Sequence, residues 1–298
     1  MPLILANPTQ KPAGALCPVG RACALLACLL AQAAQAQEAT VAQPPGDLHA
    51  TAAQAPAPVN WEGAIGLSAQ YRPEYAGAQR RIFKATPALF LRYGRFTITN
   101  AGGFVTRRAD DVVRGLGVDL LERERWSVKL SLRYDRGRGE DSSNSLSGMG
   151  DIPATVRARL VANWRLDGPW RAGLSWSVDA LGRGGGHLGD ISVGWEQRVA
   201  PATQLAASLS LALAGDRYMQ TYYGVSQEQA ARTGRPVYEA RAGWRDATGS
   251  VNLRHDLGPD WTLLAGLSAS RQLGPAAASP LTTQRNGWSV SLAAAWRF

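Results

Sequence analysis

Cysteine is almost absent from this chain of 298 residues, and its three copies, Cys17, Cys23 and Cys28, all lie near the N-terminus. A disulfide framework therefore cannot hold the rest of the chain together. Beyond the N-terminal segment, no apolar run reaches the roughly 18 residues of a membrane-spanning helix. The net charge is +9, but the cations are spread singly. Proteins that bind nucleic acid cluster them on a face or tail, so we expect no nucleic-acid partner.

The last residues of the chain, Trp288–Phe298, alternate between two kinds of side chain. A strand repeats its side-chain direction every two residues, so this pattern predicts a strand with one apolar face and one small, polar face. The apolar face carries Trp288, Val290, Leu292, Ala294, Trp296 and Phe298. A strand of about ten residues is long enough to cross a bilayer when tilted. The alternative is an edge strand of a soluble sandwich.

Eleven further segments show strand patterns from Trp61 onward. They are Trp61–Tyr71, Phe83–Tyr93, Phe96–Val105, Gly115–Glu122, Trp126–Asp135, Thr155–Arg165, Trp170–Leu181, Leu188–Val199, Gln204–Leu213, Thr248–Leu257 and Trp261–Leu273. The connections after the even-numbered strands are tight, and those after the odd-numbered strands are longer. Bacterial outer-membrane barrels show this asymmetry between short periplasmic turns and long external loops. The sequence therefore predicts an all-β fold, a transmembrane antiparallel barrel of about 12 strands.

Aromatic side chains support the same interpretation. Trp61, Trp126, Trp164 and Trp261 lie at the short-turn ends of their strands, and Trp288 lies toward a long loop. Amphipathic rings favour the two membrane interfaces and form girdles around such barrels. The terminal Trp296 and Phe298 resemble the C-terminal signal that the barrel assembly machinery recognises.

The N-terminus has the three parts of a secretory signal. Lys11 and Arg21 precede the apolar run Ala22–Leu30, and Ala34-Gln35-Ala36 supplies small residues for a signal peptidase. We predict a signal peptide over residues 1–36, cleaved after Ala36 in export through the Sec pathway. A lipoprotein signal ending at Cys28 and a membrane anchor are the alternatives. Residues 37–60, rich in Ala and Pro, predict a flexible leader, and residues 61–298 the barrel.

The polar faces of the predicted strands carry many charges, which should point away from lipid. A Lys or Arg that faces lipid at mid-membrane costs roughly 2–4 kcal/mol, so these side chains are expected in the lumen. The candidates for the lumen lining are Lys129, Arg133, Asp135, Arg157, Arg159, Arg171 and Asp179. They predict either a ladder of paired charges that fills the lumen or a water-filled path that favours anions.

No catalytic constellation stands out. His49 lies in the leader, His255 near a periplasmic turn, and His187 after a Gly-rich run at the rim of a long loop. Enzymes at barrel walls use a His–Ser pair, for which Ser177 or Ser192 beside His187 would be the candidates. Nothing in the spacing requires that pair. We therefore expect no enzyme activity, no cofactor and no metal site.

The connection between the ninth and tenth strands has the most individual sequence. Ser226 and Gln229 form a capping-box pattern, and Gly234 followed by Pro236 is a stop signal, so we predict a short helix over Gln227–Thr233. The residues before it are strongly aromatic, and they include Asp216, Arg217, Tyr218, Met219, Tyr222, Tyr223 and Gly224. Such a loop is expected to pack against the barrel mouth or against a partner.

This stretch resembles the signature of the MipA/OmpV family. Similar segments are Arg72–Gly77, Gly148–Ile152, Gly184–His187 and Ser279–Leu281. The resemblance implies a non-enzymatic protein of the cell outer membrane, in contact with its lipid. The member that gives the family its name is a scaffold that joins a lytic murein transglycosylase to a bifunctional murein synthase. Other members are treated as porin-like, so the scaffold and a small anion-preferring diffusion channel both stay open.

Overall fold

The computed structural model describes residues 61–100 and 114–298. Within these ranges, twelve antiparallel strands close into one barrel, in which each strand pairs with its neighbours in the sequence and the first pairs with the last. The strands are β1 (Trp61–Pro73), β2 (Arg81–Tyr93), β3 (Phe96–Thr99), β4 (Gly115–Glu122), β5 (Trp126–Asp135), β6 (Thr155–Arg165), β7 (Trp170–Asp179), β8 (His187–Ala200), β9 (Thr203–Ala214), β10 (Gly243–Leu257), β11 (Trp261–Gln272) and β12 (Asn286–Arg297).

The predicted fold class is confirmed: the protein is a transmembrane antiparallel barrel. Closure pairs β1 with β12 through eight residue pairs, from Ala64 opposite Arg297 to Tyr71 opposite Val290. The terminal Phe298 extends this pairing, because its amide and carbonyl both bond to Gly63 at 3.0 and 3.1 Å. Closure is required in hydrocarbon, where an open edge would leave backbone groups without partners.

Alternation in β12 agrees with the sequence prediction. Leu292 is 59% exposed on the outer surface, and its neighbours Ser291 and Ala293 are less accessible on the inner one. The predicted girdles are also present. At the short-turn end, Trp126 stacks on Trp164 with ring centroids 4.7 Å apart. At the long-loop end, Trp288 lies 5.8 Å from Tyr71.

Nine of the twelve strands differ from their predicted ranges, most of them by only one or two residues at an end. The third ends at Thr99 rather than Val105, and residues 101–105 lie outside the described part of the chain. The seventh ends at Asp179 because the chain turns at Gly182 and Gly184, which both have positive φ. The tenth begins at Gly243, five residues earlier than predicted, and a bulge between Trp244 and Asp246 interrupts its alternation there. A bulge inserts one extra residue and shifts the alternation of side chains, so a two-residue period in the sequence does not reveal the strand there.

Short helices occupy the long connections. They are α1 (Asp216–Tyr223), α2 (Gln227–Thr233) and α3 (Gly274–Ala278), together with two 3₁₀ turns at Glu140–Ser142 and Asn144–Leu146. Among the described residues, no helix has the length and apolar character needed to span a bilayer. The predicted signal peptide and leader, residues 1–60, lie outside the described residues, as does His49.

Candidate functional site

The long connections of the barrel fold together over its external mouth. We call this assembly the cap, and it comprises residues 74–80, 136–154, 180–186, 215–242 and 273–285. Its centre is α1, whose Met219 and Tyr223 are buried with Ala214, Ala240 and Ala276. A second cluster joins Met149, Val225 and Leu281 from three different connections. The aromatic loop therefore packs against the barrel mouth, one of the two expectations drawn from its sequence.

The helix predicted from the capping box is confirmed at Gln227–Thr233. The Ser226 hydroxyl accepts from the Gln229 amide at 3.2 Å, and the Gln229 side chain accepts from the Ser226 amide at 2.8 Å. Gly234 closes the helix with a left-handed φ of 69°. The Gln229 amide group also donates to the Met149 carbonyl at 2.5 Å, so this helix is bonded to the connection between β5 and β6.

The preceding helix, α1, was not predicted. Its eight-residue sequence signal is poor because aromatic residues are weak helix formers and Gly215 provides no side-chain cap. Tertiary contacts hold it instead. The Tyr223 hydroxyl donates to Gln272 of β11 at 3.0 Å, and the Ser279 hydroxyl donates to the Tyr223 carbonyl at 2.5 Å. Gln272 belongs to no motif in the sequence, and Ser279 begins the family-like segment Ser279–Leu281, whose pattern gives no indication of this contact.

Lumen-facing arginines support α1 from below. The guanidinium carbon of Arg157 lies 5.3 Å from the centroid of the Tyr218 ring, and that of Arg245 lies 5.7 Å from it. Tyr218 stacks on Tyr222 at 4.4 Å. Arg138 donates to the Tyr222 carbonyl at 2.9 Å. The faces of the tyrosine rings thus meet cations, an attraction that strengthens when water is excluded.

Other members of the signature stretch hold the ends of this loop. The Asp216 carboxylate accepts from the Ala242 amide at 2.7 Å. Arg217 is exposed. Gly224 ends α1, and a side chain at that position would meet Gln220 atoms at 2.3–2.5 Å.

The Gly-rich run before β8 contacts α1 directly. Gly186 has a φ of 52°, and a Cβ at this position would lie 2.6 Å from the Tyr218 amide nitrogen. Gly185 donates to the Asp179 carboxylate at 2.7 Å, and its carbonyl accepts from Arg157 at 2.7 Å. These glycines therefore let the chain approach a helix closely, which a side chain at Gly186 would prevent.

Burial inside the cap changes its titrating groups. It raises the pKa of the Tyr223 hydroxyl strongly and raises the pKa of Tyr222 and of Tyr238 as well. It lowers the pKa of the Arg138 guanidinium, partly offset by the surrounding tyrosines. Since burial disfavours the charged form of each group, the cap is most stable with its tyrosines neutral.

Most of the charges assigned to the lumen face one another in pairs. Lys129 lies 3.4 Å from Asp119, and Arg159 lies 3.5 Å from Asp190. Asp135 accepts from Arg157 at 2.8 Å and lies 3.9 Å from Arg133. The remaining two candidates, Arg171 and Asp179, contact Glu196 and Thr155 respectively. This geometry favours the ladder of paired charges over an open anion path.

The candidate His–Ser pair is not assembled. His187 lies opposite Val178 on the outer face of the barrel and stacks on Trp176 at 5.1 Å. Ser177 and Ser192 lie at inward positions, opposite Leu188 and Gly173. His255, at the periplasmic end as expected, bonds to Thr203 at 2.9 Å. Within the described ranges, no group of three His, Cys, Asp or Glu side chains is arranged for a metal ion.

The segments that resemble the MipA/OmpV family lie far apart in the sequence, yet they meet in the cap. Tyr75 donates to the Leu281 carbonyl at 3.1 Å, and Arg232 donates to the Gly148 carbonyl at 3.0 Å. The family model described as "MltA-interacting protein MipA" matches residues 65–298. The chain belongs to the MipA family. In this MipA-family barrel, the family-like segments are those that hold the cap in place.

Solved barrels are similar to this MipA-family chain only at low identity. The NanC porin is 10% identical with a TM-score of 0.40, covering 78% of this chain and 98% of its own. An outer membrane channel from Pseudomonas putida F1 is 14% identical with a TM-score of 0.39, and the match covers 86% of this chain and 100% of the channel. An anion-selective porin from Comamonas acidovorans is 9% identical with a TM-score of 0.36, and the match covers 80% of this chain and 99% of the porin. No curated protein matches the chain.

Proposed function

We propose that this outer-membrane barrel is a non-enzymatic scaffold that holds peptidoglycan-remodelling enzymes at the periplasmic side of the membrane. The observation that carries the proposal is the cap, which fills the external mouth with the chain's own buried side chains, such as Met219 and Tyr223. Paired charges occupy the lumen below it. A wall built in this way suits anchoring better than transport. The family description, an MltA-interacting protein, names a partner of the same kind.

The docking surface that we propose lies on two neighbouring periplasmic turns. Arg123 and Arg125 are exposed in the turn between β4 and β5, and Asp167 is exposed in the turn between β6 and β7. Arg125 and Asp167 lie 3.2 Å apart with side chains 64% and 91% exposed, so both remain accessible to a partner. Exposed arginines beside aromatic rings are common at protein interfaces, and Trp126 and Trp164 lie at the adjoining strand ends.

Affinity capture from mildly cross-linked, detergent-solubilised envelopes tests the scaffold. We expect the full chain to recover a lytic murein transglycosylase together with a murein synthase, each identified by its activity. The double variant R123E/R125E should reduce recovery about tenfold, because reversed charge at an interface repels the matching partner surface. The matched control, R217E/R241E, reverses two exposed arginines at the external side and should recover the enzymes normally.

Failure to recover any murein hydrolase or synthase with the unaltered chain would remove the scaffold. Equal recovery by R123E/R125E and by the control would leave the scaffold in place but would move the docking surface away from these turns.

A small anion-preferring channel is the second candidate, and one cavity favours it. A cavity of about 210 Å³ lies between residues 74–80, residues 273–285 and the wall. Its charged lining consists of Arg72 and Arg285, while Ser268, Ser270 and Gln272 supply polar groups. A cationic lining attracts anions and repels cations.

Planar-bilayer recording in asymmetric salt separates the two candidates. A channel should give single steps of conductance with a reversal potential that favours anions, and R72Q should weaken that preference. Conductance no greater than that of the bare membrane, or a reversal potential that favours cations, would exclude the anion channel and leave the scaffold.

Export and assembly belong to the same proposal. We propose Sec-dependent export with removal of residues 1–36, followed by recognition of Trp296 and Phe298 by the barrel assembly machinery. N-terminal sequencing of the envelope protein should begin at Gln37. A start at Cys28 would instead indicate the lipoprotein alternative. Removal of Phe298 should leave unfolded protein in the periplasm, because Phe298 also completes the backbone pairing with Gly63.

A further inference from the structure

An arginine lies over aromatic rings on the outer wall of the barrel, at the external ends of β1, β2 and β12. The guanidinium carbon of Arg81 is 3.7 Å from the centroid of the Trp288 ring and 5.7 Å from that of Tyr71. Its Nη1 donates to the Trp288 carbonyl at 2.6 Å. Both rings are exposed on the lipid-facing side. The guanidinium is therefore held on the outer wall at the level of the external aromatic girdle, with further N–H donors available.

A second arginine projects from the next strand along the wall. Arg271 of β11 shares its face with Leu267 and Ala269, and Ala269 lies directly opposite Trp288. Strands are about 4.8 Å apart and rise about 3.3 Å per residue, which places the Cα of Arg271 roughly 8 Å from that of Trp288. Arg81 reaches across to Trp288, so the two guanidinium groups can converge on one ligand. We call Arg81, Arg271 and the Trp288 ring the outer-rim patch.

Carboxylates are scarce around this patch. Residues 71–81 and 269–287 contain five arginines, Arg72, Arg80, Arg81, Arg271 and Arg285, and a single carboxylate, Glu74. The Glu74 side chain is only 5% exposed and already pairs with Arg80 at 3.2 Å. Among the described residues, none forms a salt bridge with Arg81 or Arg271 within the 4.0 Å limit for such contacts. The external ends of β5 and β7, by contrast, carry Asp135 and Asp179.

A cation on the outer wall needs an anion from the membrane itself. The free-energy cost of Lys or Arg toward lipid is high at the midplane and falls near the interface, where headgroups replace hydrocarbon. Arginine suits phosphate because its planar group can donate two parallel hydrogen bonds to phosphate oxygens. Below the patch, Leu267 and Phe83 expose apolar surface on which acyl chains can lie.

We propose that the outer-rim patch binds the phosphate of a phosphorylated glycolipid of the outer leaflet, of the lipid A class. One phosphate group contacts Arg81 and Arg271, the sugar rests against Trp288, and the acyl chains follow the wall toward Leu267. The bound lipid spans β2, β1, β12 and β11. It therefore ties together the strands on both sides of the β1–β12 closure, so lipid binding stabilises the closed barrel.

Lipid retention tests this site. Full-length protein is refolded into phosphatidylcholine vesicles that contain either lipid A or enzymatically dephosphorylated lipid A, and the retained glycolipid is counted by native mass spectrometry. The unaltered chain should retain the phosphorylated form roughly tenfold better, since each cation near a lipid surface contributes to binding. R81Q/R271Q should lose this preference. The control R183Q/R241Q removes two exposed arginines of the external connections and should keep it.

Folding is checked separately by heat-modifiable migration on gels. If R81Q/R271Q does not fold, R271Q alone serves, because no hydrogen bond or ion pair joins the Arg271 side chain to a described residue. In the unaltered chain, phosphorylated lipid should also raise the midpoint temperature of unfolding more than dephosphorylated lipid does. Equal retention of the two lipids by the unaltered chain, or an unchanged preference in the folded variant, would overturn the proposal.

Discussion

The barrel wall exposes most of its large apolar side chains, whereas the cap buries most of its own. Leu292 at the middle of β12 is 59% exposed, and Met219 in the cap is 0% exposed. The wall relies on lipid to cover its apolar face and on a continuous ladder of backbone hydrogen bonds to hold its shape. The cap has neither, so it is stabilised as a small globular core is, by packing and by buried polar contacts. A substitution should therefore act differently in the two regions.

The largest expected effect comes from the wall. Leu292→Arg sets a charge against lipid near mid-membrane at a cost of roughly 2–4 kcal/mol, and we expect it to block assembly. Ser291→Arg should be tolerated much better, because that position faces the lumen and lies opposite Gly266. Heat-modifiable migration on gels reads out folding. If the two variants fold equally well or equally poorly, the direction of a side chain, toward lipid or toward the lumen, does not decide its effect on assembly of the wall.

A smaller effect is expected in the cap, and it should leave the wall intact. Met219→Ala removes a fully buried side chain, which typically costs about 2–5 kcal/mol. We expect faster hydrogen exchange over residues 215–242 with unchanged heat-modifiable migration. The control is Val237→Ala in the same connection, where the side chain is exposed. Loss of the folded barrel in Met219→Ala would show that cap and wall are not independent.

The pH dependence of the cap should follow its buried tyrosines. An unfolded tyrosine titrates near pH 10 or so, and burial raises the pKa of Tyr223 in the folded cap. Above that pH the unfolded cap loses a proton that the folded cap retains, so stability is full below about pH 10 and falls as pH rises. Hydrogen exchange over residues 215–242 should accelerate accordingly.

Tyr223→Phe separates the two contributions of that residue. It should weaken the cap at pH 7 by roughly 1–3 kcal/mol, because Gln272 loses its buried partner. It should also reduce the slope of the cap's stability against pH in the alkaline range by the equivalent of one proton. The control is Tyr134→Phe on the lipid face of the wall, and an unchanged pH slope in Tyr223→Phe would contradict the assignment.

The smallest effect concerns the capping box of α2. Ser226→Ala removes a hydroxyl that accepts from the Gln229 amide, and such losses cost about 0.5–2 kcal/mol. We expect hydrogen exchange to increase at residues 226–233 while the centre of α1 stays protected. The matched control, Gln227→Ala, alters an exposed position of the same helix. Equal hydrogen exchange in the two variants would show that the capping box contributes little to the stability of α2.

Regular alternation made the wall predictable. The fourth, fifth and sixth strands were predicted with the same limits that the structure has, Gly115–Glu122, Trp126–Asp135 and Thr155–Arg165. Errors arose where local geometry interrupts the period. The bulge at Arg245 turned that side chain toward Tyr218, and the sequence pattern gave no indication of it. The capping box predicted α2 because its signal is local, whereas α1 depends on contacts with β11 and residue 279.

By itself, the sequence determined the barrel and the inward direction of the seven candidate lumen charges, because lipid on one side of the wall imposes a two-residue period along each strand. Only the tertiary structure decided how those charges pair and where the family-like segments go. Nothing in the sequence indicates that the connections containing Gly77, Met149, Gly186 and Leu281 lie near one another. Closure of the barrel brings these connections to one mouth. Packing there is a matter of three-dimensional fit between distant residues, and a periodic pattern cannot encode it.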